Sequence, residues 1–438
     1  MCEQQGLLAG FGKVDVTPDY PVGLRGYSDD ATRIHQMVVE RVYVTCIALT
    51  DGEETILLYT IDNCACEQPT AELIRKAVTP VTGIPGEKIF CAATHTHNAP
   101  SIGAHPNAAR FKADLIVTCV NAARQALADR APAKVLAGKR DIPGMNFVRH
   151  YVTANGSIAG VAFGSFKDNP PVAYTTQADQ QLLLVKFQRE GLHKSILLVN
   201  WQGHPDCSSQ IGKLNISPSY PGPLRDTLAA YTGDLVAYFT GDDGNTVIDS
   251  RLKSEQHNLN WREYGIKMAE YGYALYKDLQ EVEGSGIATC RQIVQVQTDH
   301  GMDHMVDVAN EVFNVWKTVG IKEGNELAKS YGLSSVYQAN AIRNKARMEK
   351  TRTLELNTFR VGGIGFTSGT YEMFSEAGIA IREGSPFDYT FLLTGNFSYI
   401  PSAAAYDYQC YEAVTGYYAR GTGEYLTEQY LEMLKNVR

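Results

Sequence analysis

The chain has 438 residues, 44% hydrophobic and 20% charged, with a formal net charge of −8. That composition belongs to a globular protein able to bury a large core and excludes a disordered or fibrous one. The acidic balance, with no run of Lys or Arg, excludes nucleic acid or an anionic membrane as the main partner. No stretch approaches the roughly 20 apolar residues of a membrane span.

The start, "MCEQQGLLAGFGKVDVTP", lacks the apolar core of a signal peptide, so the chain reads as soluble. Of nine cysteines, just Cys64 and Cys66 are close in sequence, which favours free thiols. Cys2 followed by polar residues is also what a processed bacterial lipoprotein would leave. A secreted, periplasmic or lipid-anchored location therefore stands beside a cytoplasmic one.

Apolar, β-branched runs predict strands at 41–49, 55–62, 88–94, 182–187, 195–201, 234–240 and 389–395, with helices expected at 69–78 and 107–129. This interleaving predicts an α/β fold, a mixed β-sheet core flanked by helices. Between 258 and 350, helical spacing of Tyr264, Met268, Tyr271 and Leu275 and of Val308, Val312 and Val315 predicts a mostly helical insertion, interrupted by a strand at 290–298. The chain closes on a helix over 423–437.

"ATHTHNAP" places His95 and His97 one residue apart after the apolar run 88–93. On a strand such residues share a face, and α/β sites gather at strand ends. Alone, a His-X-His pair serves equally as two satisfied polar residues. "LLVNWQGHPDC" carries the same grammar, with His204 just past a strand. Near the C-terminus, "GIGFTSGTYEMFSEAG" is expected to pass from strand to a helix beginning near Thr370, with Glu372 in its first turn. "TGNFSYIPSAAAYDYQCYE" then follows another strand with Tyr399 and Tyr411. Imidazole suits metal binding and proton transfer near neutral pH. Singly, Glu372 would favour a helix dipole and the tyrosines would pack.

These residues resemble the neutral, non-lysosomal ceramidases. The likeness runs over nearly the whole chain, in "GFGKVDVTP…PVGLRGY", "THTHNAP", "NWQGHP", "YEMFSEAGIAIRE" and "SYIPSAAAYDYQCYE". It implies a single catalytic domain over 1–438 and Zn²⁺ as cofactor, with His95, His204, Glu372 and Tyr399 as metal ligands. His97 would contact the substrate oxygen or handle its proton, Tyr411 would stand beside it, and Arg149 in "MNFVRHY" would match an active-site arginine. The sequence departs from the family in two places. "GDDGNTVID" (241–249) sets Val247 at the position of the family's proposed seryl nucleophile, so water acidified by zinc would attack instead. The second is at the carboxyl end, where the family continues into an immunoglobulin-like domain and none is expected here after the helix over 423–437.

The expected function is therefore a zinc-dependent hydrolase of an amide (N-acyl) or related bond in a small molecule, lipid or soluble, and not a true ceramidase. Two alternatives stay open. One is a carbohydrate-active or other hydrolase on the same site, with Trp201, Tyr399, Tyr406 and Tyr408 facing a sugar. The other is a metal-containing binding protein without turnover. "HGMDHM" sets His300 and His304 four apart, but without the Glu of a metalloprotease motif it reads as a solvated helix start.

Overall fold

A computed structural model of the chain describes residues 6–27, 32–103, 107–395 and 398–438. Cys2, and the lipoprotein reading attached to it, lies outside them. The strands that position the site are β1 (Leu8–Asp15), β2 (Tyr43–Thr50), β3 (Thr55–Ile61), β4 (Ile89–Ala93), β5 (Ala131–Asp141), β6 (Gln181–Arg189), β7 (Ile196–Trp201) and β8 (Leu235–Thr240). Further along the chain come β9 (Ile287–Gln297), β10 (Thr351–Val361), β11 (Ile364–Gly369), β12 (Glu372–Met373), β13 (Tyr389–Thr394) and β14 (Tyr399–Ile400). The main helices are α1 (Gln68–Thr82), α2 (Ala108–Ala128), α3 (Pro221–Thr232), α4 (Trp261–Tyr276), α5 (Val306–Thr318), α6 (Ile321–Ser330), α7 (Val336–Lys345), α8 (Ser375–Gly384) and α9 (Thr422–Asn436).

One mixed sheet runs β8-β7-β6-β5-β1-β2-β3-β4, parallel at both ends, where β7 pairs with β8 and β3 with β4. A smaller sheet runs β9-β10-β11-β13, with β11 and β13 parallel. Period-two alternation sets the layers. Along β2, Val44, Cys46 and Ala48 face Ile74 and Val78 of α1 and Leu115 and Cys119 of α2. Ile47 and Leu49 face the other way, into a core shared with Phe359, Phe366 and Phe391 of the smaller sheet. On the far half, Leu182, Leu184, Leu197 and Val199 meet α3 and α4, while Leu183, Val185, Ile196 and Leu198 join the inter-sheet core. The outer face of the smaller sheet, through Val294, Leu354, Leu356 and Leu392, is covered by Leu426, Tyr430 and Leu434 of α9. The result is four layers, helices on sheet on sheet on helix, the mixed α/β fold expected. Strands buried on both faces read as unbroken apolar runs, which is why those seven were visible in the sequence.

β1 was not. Its glycines weaken a strand pattern, yet a Cβ on Gly10 would come within 2.0 Å of Ala126 O and one on Gly12 within 2.1 Å of Ala122 O. The bare backbone is what lets α2 lie directly on the sheet. The stretch 258–350 contains α4, which packs on the larger sheet, then β9, then α5 to α7 around a small core of their own. His300 sits ahead of a short 3-10 turn, its Nδ1 2.8 Å from Asp303 Oδ2. His304 joins no metal-capable group among the described residues.

The larger sheet curls until its end strands touch. Thr60 Oγ1 donates to Tyr238 O at 2.6 Å, and Thr240 Oγ1 to Thr94 O at 2.9 Å. Thr394 Oγ1 reaches Thr240 O at 3.2 Å. The carboxyl ends of β4, β8 and β13 thus meet at one point, and the segment leaving each strand is delivered there.

Candidate metal centre

β4 ends at Ala93, so His95 and His97 are not alternate residues of a strand, as the sequence suggested. His95 instead has φ 62°, a left-handed conformation that is strained for a residue with a Cβ. That turn folds both rings inward; His95, His97 and His204 are all buried. For His95 and His204 the tautomer is set by a carbonyl, which can only accept. His95 Nδ1 donates to Cys64 O at 2.6 Å, and His204 Nδ1 points to Asp243 O at 3.2 Å. Their Nε2 lone pairs are therefore left facing inward. His97 Nε2 lies 3.3 Å from His95 Nε2 and 3.1 Å from His204 Nε2.

Glu372 closes the group. Its Oε2 is 3.6 Å from His95 Nε2, and the ligand atoms of His95, His204 and Glu372 all lie within 4.8 Å of one another. That Oε2 is buried, with no hydrogen-bond partner among the described residues. Burial drives the His95 imidazole down to about 4, Glu372 opposing, and holds His204 well below its usual range with His95 adding to the effect. Two neutral imidazoles and an unpartnered carboxylate oxygen are what a buried cation requires and what a hydrogen-bonded cluster would not leave. The residues present fit a divalent metal. Cys64 stands 4.0 Å from His95 Nδ1, but burial pushes its thiol up to about 12, so it remains protonated.

The sequence placed Glu372 in a helix. It lies instead in β12, a two-residue strand parallel to β14, with Glu372 opposite Tyr399; the helix begins only at Ser375. Hydrogen bonds to β14 hold the chain extended until Phe374, with its ring buried, turns it. Arg149 lines the next shell. It donates through Nε to Glu412 Oε1 at 2.6 Å and through Nη2 to Gly244 O at 2.8 Å, with its Cζ 5.5 Å from the Tyr399 ring centre. Burial would raise the Glu412 carboxyl, but Arg149 and His150 reverse this and hold it well below the carboxylate range. The rings of Tyr399 and Tyr411 are 6.1 Å apart, edge to face.

The structure thus brings His95, His97, His204 and Glu372 into one cluster and sets Tyr399, Tyr411 and Arg149 around it. Trp201 is fully buried, donating to Tyr264 OH, and lines nothing. Tyr406 donates to Tyr418 O and Tyr408 pairs with His150, and both rings are half-buried. The segment 241–249 meets the cluster through Asp243 and Gly244. Val247 lies beyond them in a short ladder with Phe147. Three neighbours went unread in the sequence. Asp206 Oδ2 is 3.6 Å from His97 Nδ1 and bonds Tyr27 OH. Burial would raise its carboxyl, but His97, Ser208 and Tyr27 hold it at about 2. Arg33 Nη2 donates to His97 O at 3.2 Å. Gly26, at φ 125°, leaves space for His97, whose Cβ would be 2.7 Å from a Cβ there. A second group, His150, Cys410 and Glu412, is already internally satisfied, since His150 engages Tyr408 OH at 3.0 Å and Glu412 Oε2 at 2.8 Å.

Layered sheets between helices, with a histidine–carboxylate cluster where their strands end, define a metal-capable α/β protein. Among solved structures, the neutral ceramidase from Pseudomonas aeruginosa is similar at a TM-score of 0.73 and 16% identity, over 99% of this chain and 74% of that one. A ceramidase solved as a complex with C2 gives 0.71 and 15%, over 98% and 75%. The chain has the neutral-ceramidase-like fold that its motifs resemble. No protein-family model matches the sequence, and no curated protein matches it. No helix among the described residues is long and apolar enough to cross a membrane.

Proposed function

We propose that the protein is a zinc-dependent hydrolase of an N-acyl amide or related bond, with His95, His204, Glu372 and Tyr399 holding the metal. The observation that carries this reading is the convergence of two carbonyl-locked imidazoles on a buried carboxylate oxygen with no hydrogen-bond partner among the described residues. Bound there, zinc supplies Lewis acidity, polarising a carbonyl and lowering the pKa of water.

The chain's own residues do the rest. His97 has its Nε2 in the cluster and its Nδ1 toward Asp206. Burial keeps it below its ordinary pKa, so it is neutral and able to accept a proton. It takes a proton from the attacking water and returns it to the departing amine, while Asp206 orients the ring and favours the protonated form. Tyr411, beside Tyr399, places a phenol hydroxyl to donate to the developing oxyanion. Arg149 was expected to share that task; it holds Glu412 through Nε and Gly244 O through Nη2, and it hydrogen-bonds Tyr399. It acts as a positioning residue for Tyr399. No serine of 241–249 reaches the cluster, which is met by Asp243 and Gly244, and water is left as the nucleophile.

The test is turnover of an N-acyl library, with a glycoside library in parallel, by the purified chain before and after metal removal. Amide cleavage lost on chelation and restored by zinc supports the reading. Glycoside cleavage, or no turnover with zinc bound, would replace it with a carbohydrate-active enzyme or a binding protein.

A further inference from the structure

Beside the metal cluster, among the described residues, lies a cavity of about 210 Å³ whose walls include Tyr337, Asn340, Asn344, Tyr399, Tyr411 and Tyr417. We infer that it is a recognition subsite for a compact, uncharged, hydroxylated group of the substrate, read by Asn340 and Asn344 of α7. This rests on the hydrolytic reading of the neighbouring centre and names the substrate class that centre serves.

The placement follows from the helix. Ser335 caps α7 by accepting from Gln338 N, and Val336, Ala339 and Ile342 bury one face of it against α5 and α6. Asn340 and Asn344, four apart, share a half-buried side of the helix that faces the cavity, beside Tyr337, whose ring also packs on Trp316 of α5. An outward helix face ordinarily carries Lys, Glu or Arg. The charges of α7 do not line the cavity: Arg343 donates to Asn310 Oδ1 at 2.7 Å, reaches Asn340 Oδ1 at 3.4 Å and stacks on Phe313, and Lys345 pairs with Asp299 at 2.6 Å. No carboxylate, ammonium or guanidinium lines the cavity among the described residues.

The cavity also connects to the chemistry. Tyr337 stands 6.1 Å from Tyr411 between ring centres, edge to face, and Tyr411 stands 6.1 Å from Tyr399. A row of three phenol rings therefore leads from α7 to the residue opposite Glu372. Its volume equals about seven waters at roughly 30 Å³ each, enough for a small polyol or one sugar ring. Carboxamides both donate and accept, as hydroxyls do, and ring faces suit the C–H surface of such a group. An alkyl chain seated there would strip water from Asn340 and Asn344 and return no hydrogen bond. An amino-alcohol head group and an amino sugar share the required chemistry.

The experiment is binding to the full zinc-loaded chain by calorimetry or ligand-observed NMR. The probes are N-acetylserinol and N-acetylglucosamine, each against its hydroxyl-free counterpart, N-isopropylacetamide and N-cyclohexylacetamide. At least one hydroxylated probe should bind tenfold or more tightly than its counterpart, and the stronger of the two identifies the source. Asn340→Leu and Asn344→Leu should each erase that preference without weakening the hydroxyl-free probes. Tyr337→Phe, which removes a single hydroxyl and keeps the ring, serves if either leucine variant fails to fold. Equal binding of both probe classes, or a preference untouched by the variants, would overturn the inference. Preferential binding without turnover of any amide would leave the subsite standing and remove the hydrolase.

Discussion

Glu372 and Tyr399 face each other in register across a parallel ladder of two residues. One side of that ladder follows β11 and the other follows β13, which are themselves parallel neighbours. Register in the smaller sheet is therefore carried past the strand ends and fixes two side chains from distant parts of the chain at one depth. If both are ligands, Glu372→Gln should preserve the ladder and the shape of the site while removing the charge. Zinc affinity, measured by competition with a chelator, should fall by at least about tenfold. Unchanged affinity would take Glu372 out of the metal set.

His97 and His95 are neighbours with different expected fates. His97→Ala should retain zinc and lose turnover by about a hundredfold or more, the usual worth of acid–base assistance. Asp206→Asn should retain zinc and lose less, because the imidazole stays in place and loses only its anionic partner. Metal analysis alongside kcat checks both. Loss of zinc from His97→Ala would make it a ligand, which its 3.1 Å approach to His204 Nε2 renders a sharp test.

The backbone at His95 is strained, and the strain is measurable. Glycine adopts φ near 62° freely, whereas alanine does not. In metal-free protein His95→Gly should be more stable than His95→Ala by about 1–2 kcal/mol in urea unfolding, although both lack the imidazole. The reverse order would mean that the turn relaxes when the ring is gone.

Away from the centre, Arg75 of α1 grips Glu355 of β10 through two bonds of 2.9 and 2.6 Å, with Arg291 adding a third at 2.5 Å. Arg75→Met would leave a buried carboxylate half-partnered. A cost of about 3 kcal/mol is expected, the lower end for broken buried pairs because Arg291 remains. Burial would raise the Glu355 carboxyl, but its partners bring it below the ordinary 4.5. A depressed folded-state pKa contributes stability that is present above 4.5 and lost as pH falls through the lowered value. The gap between wild type and variant should narrow over that acid range in denaturant titrations.

How far the sequence went depended on which constraint acted at each place. β2, β3, β4 and β6 to β8 were readable because burial on both faces demands apolar residues without interruption. β1 was hidden by Gly10 and Gly12, which serve the approach of α2 and not the strand. β5 and β10 were hidden because charged and polar residues interrupt them. Among the cluster residues, His95 and His204 stood out because each follows such an apolar run. Asp206, Asp243 and Arg33 did not, because each meets a histidine delivered by a different segment: Asp206 after β7 and Arg33 from the N-terminal loop lie against His97, and Asp243 after β8 lies against His204 after β7. The helix expected at Glu372 failed for a similar reason, since pairing across to Tyr399 overrode the local preference.

Whether the buried cluster holds a metal through His95 and His204 is read directly by metal analysis of the purified chain. About one zinc per chain is expected in the wild type, falling toward none in both His95→Ala and His204→Ala while circular dichroism shows the fold retained. Undiminished zinc in both variants, or a wild-type chain that binds none when zinc is supplied in excess, would remove the metal centre and the hydrolytic chemistry built on it.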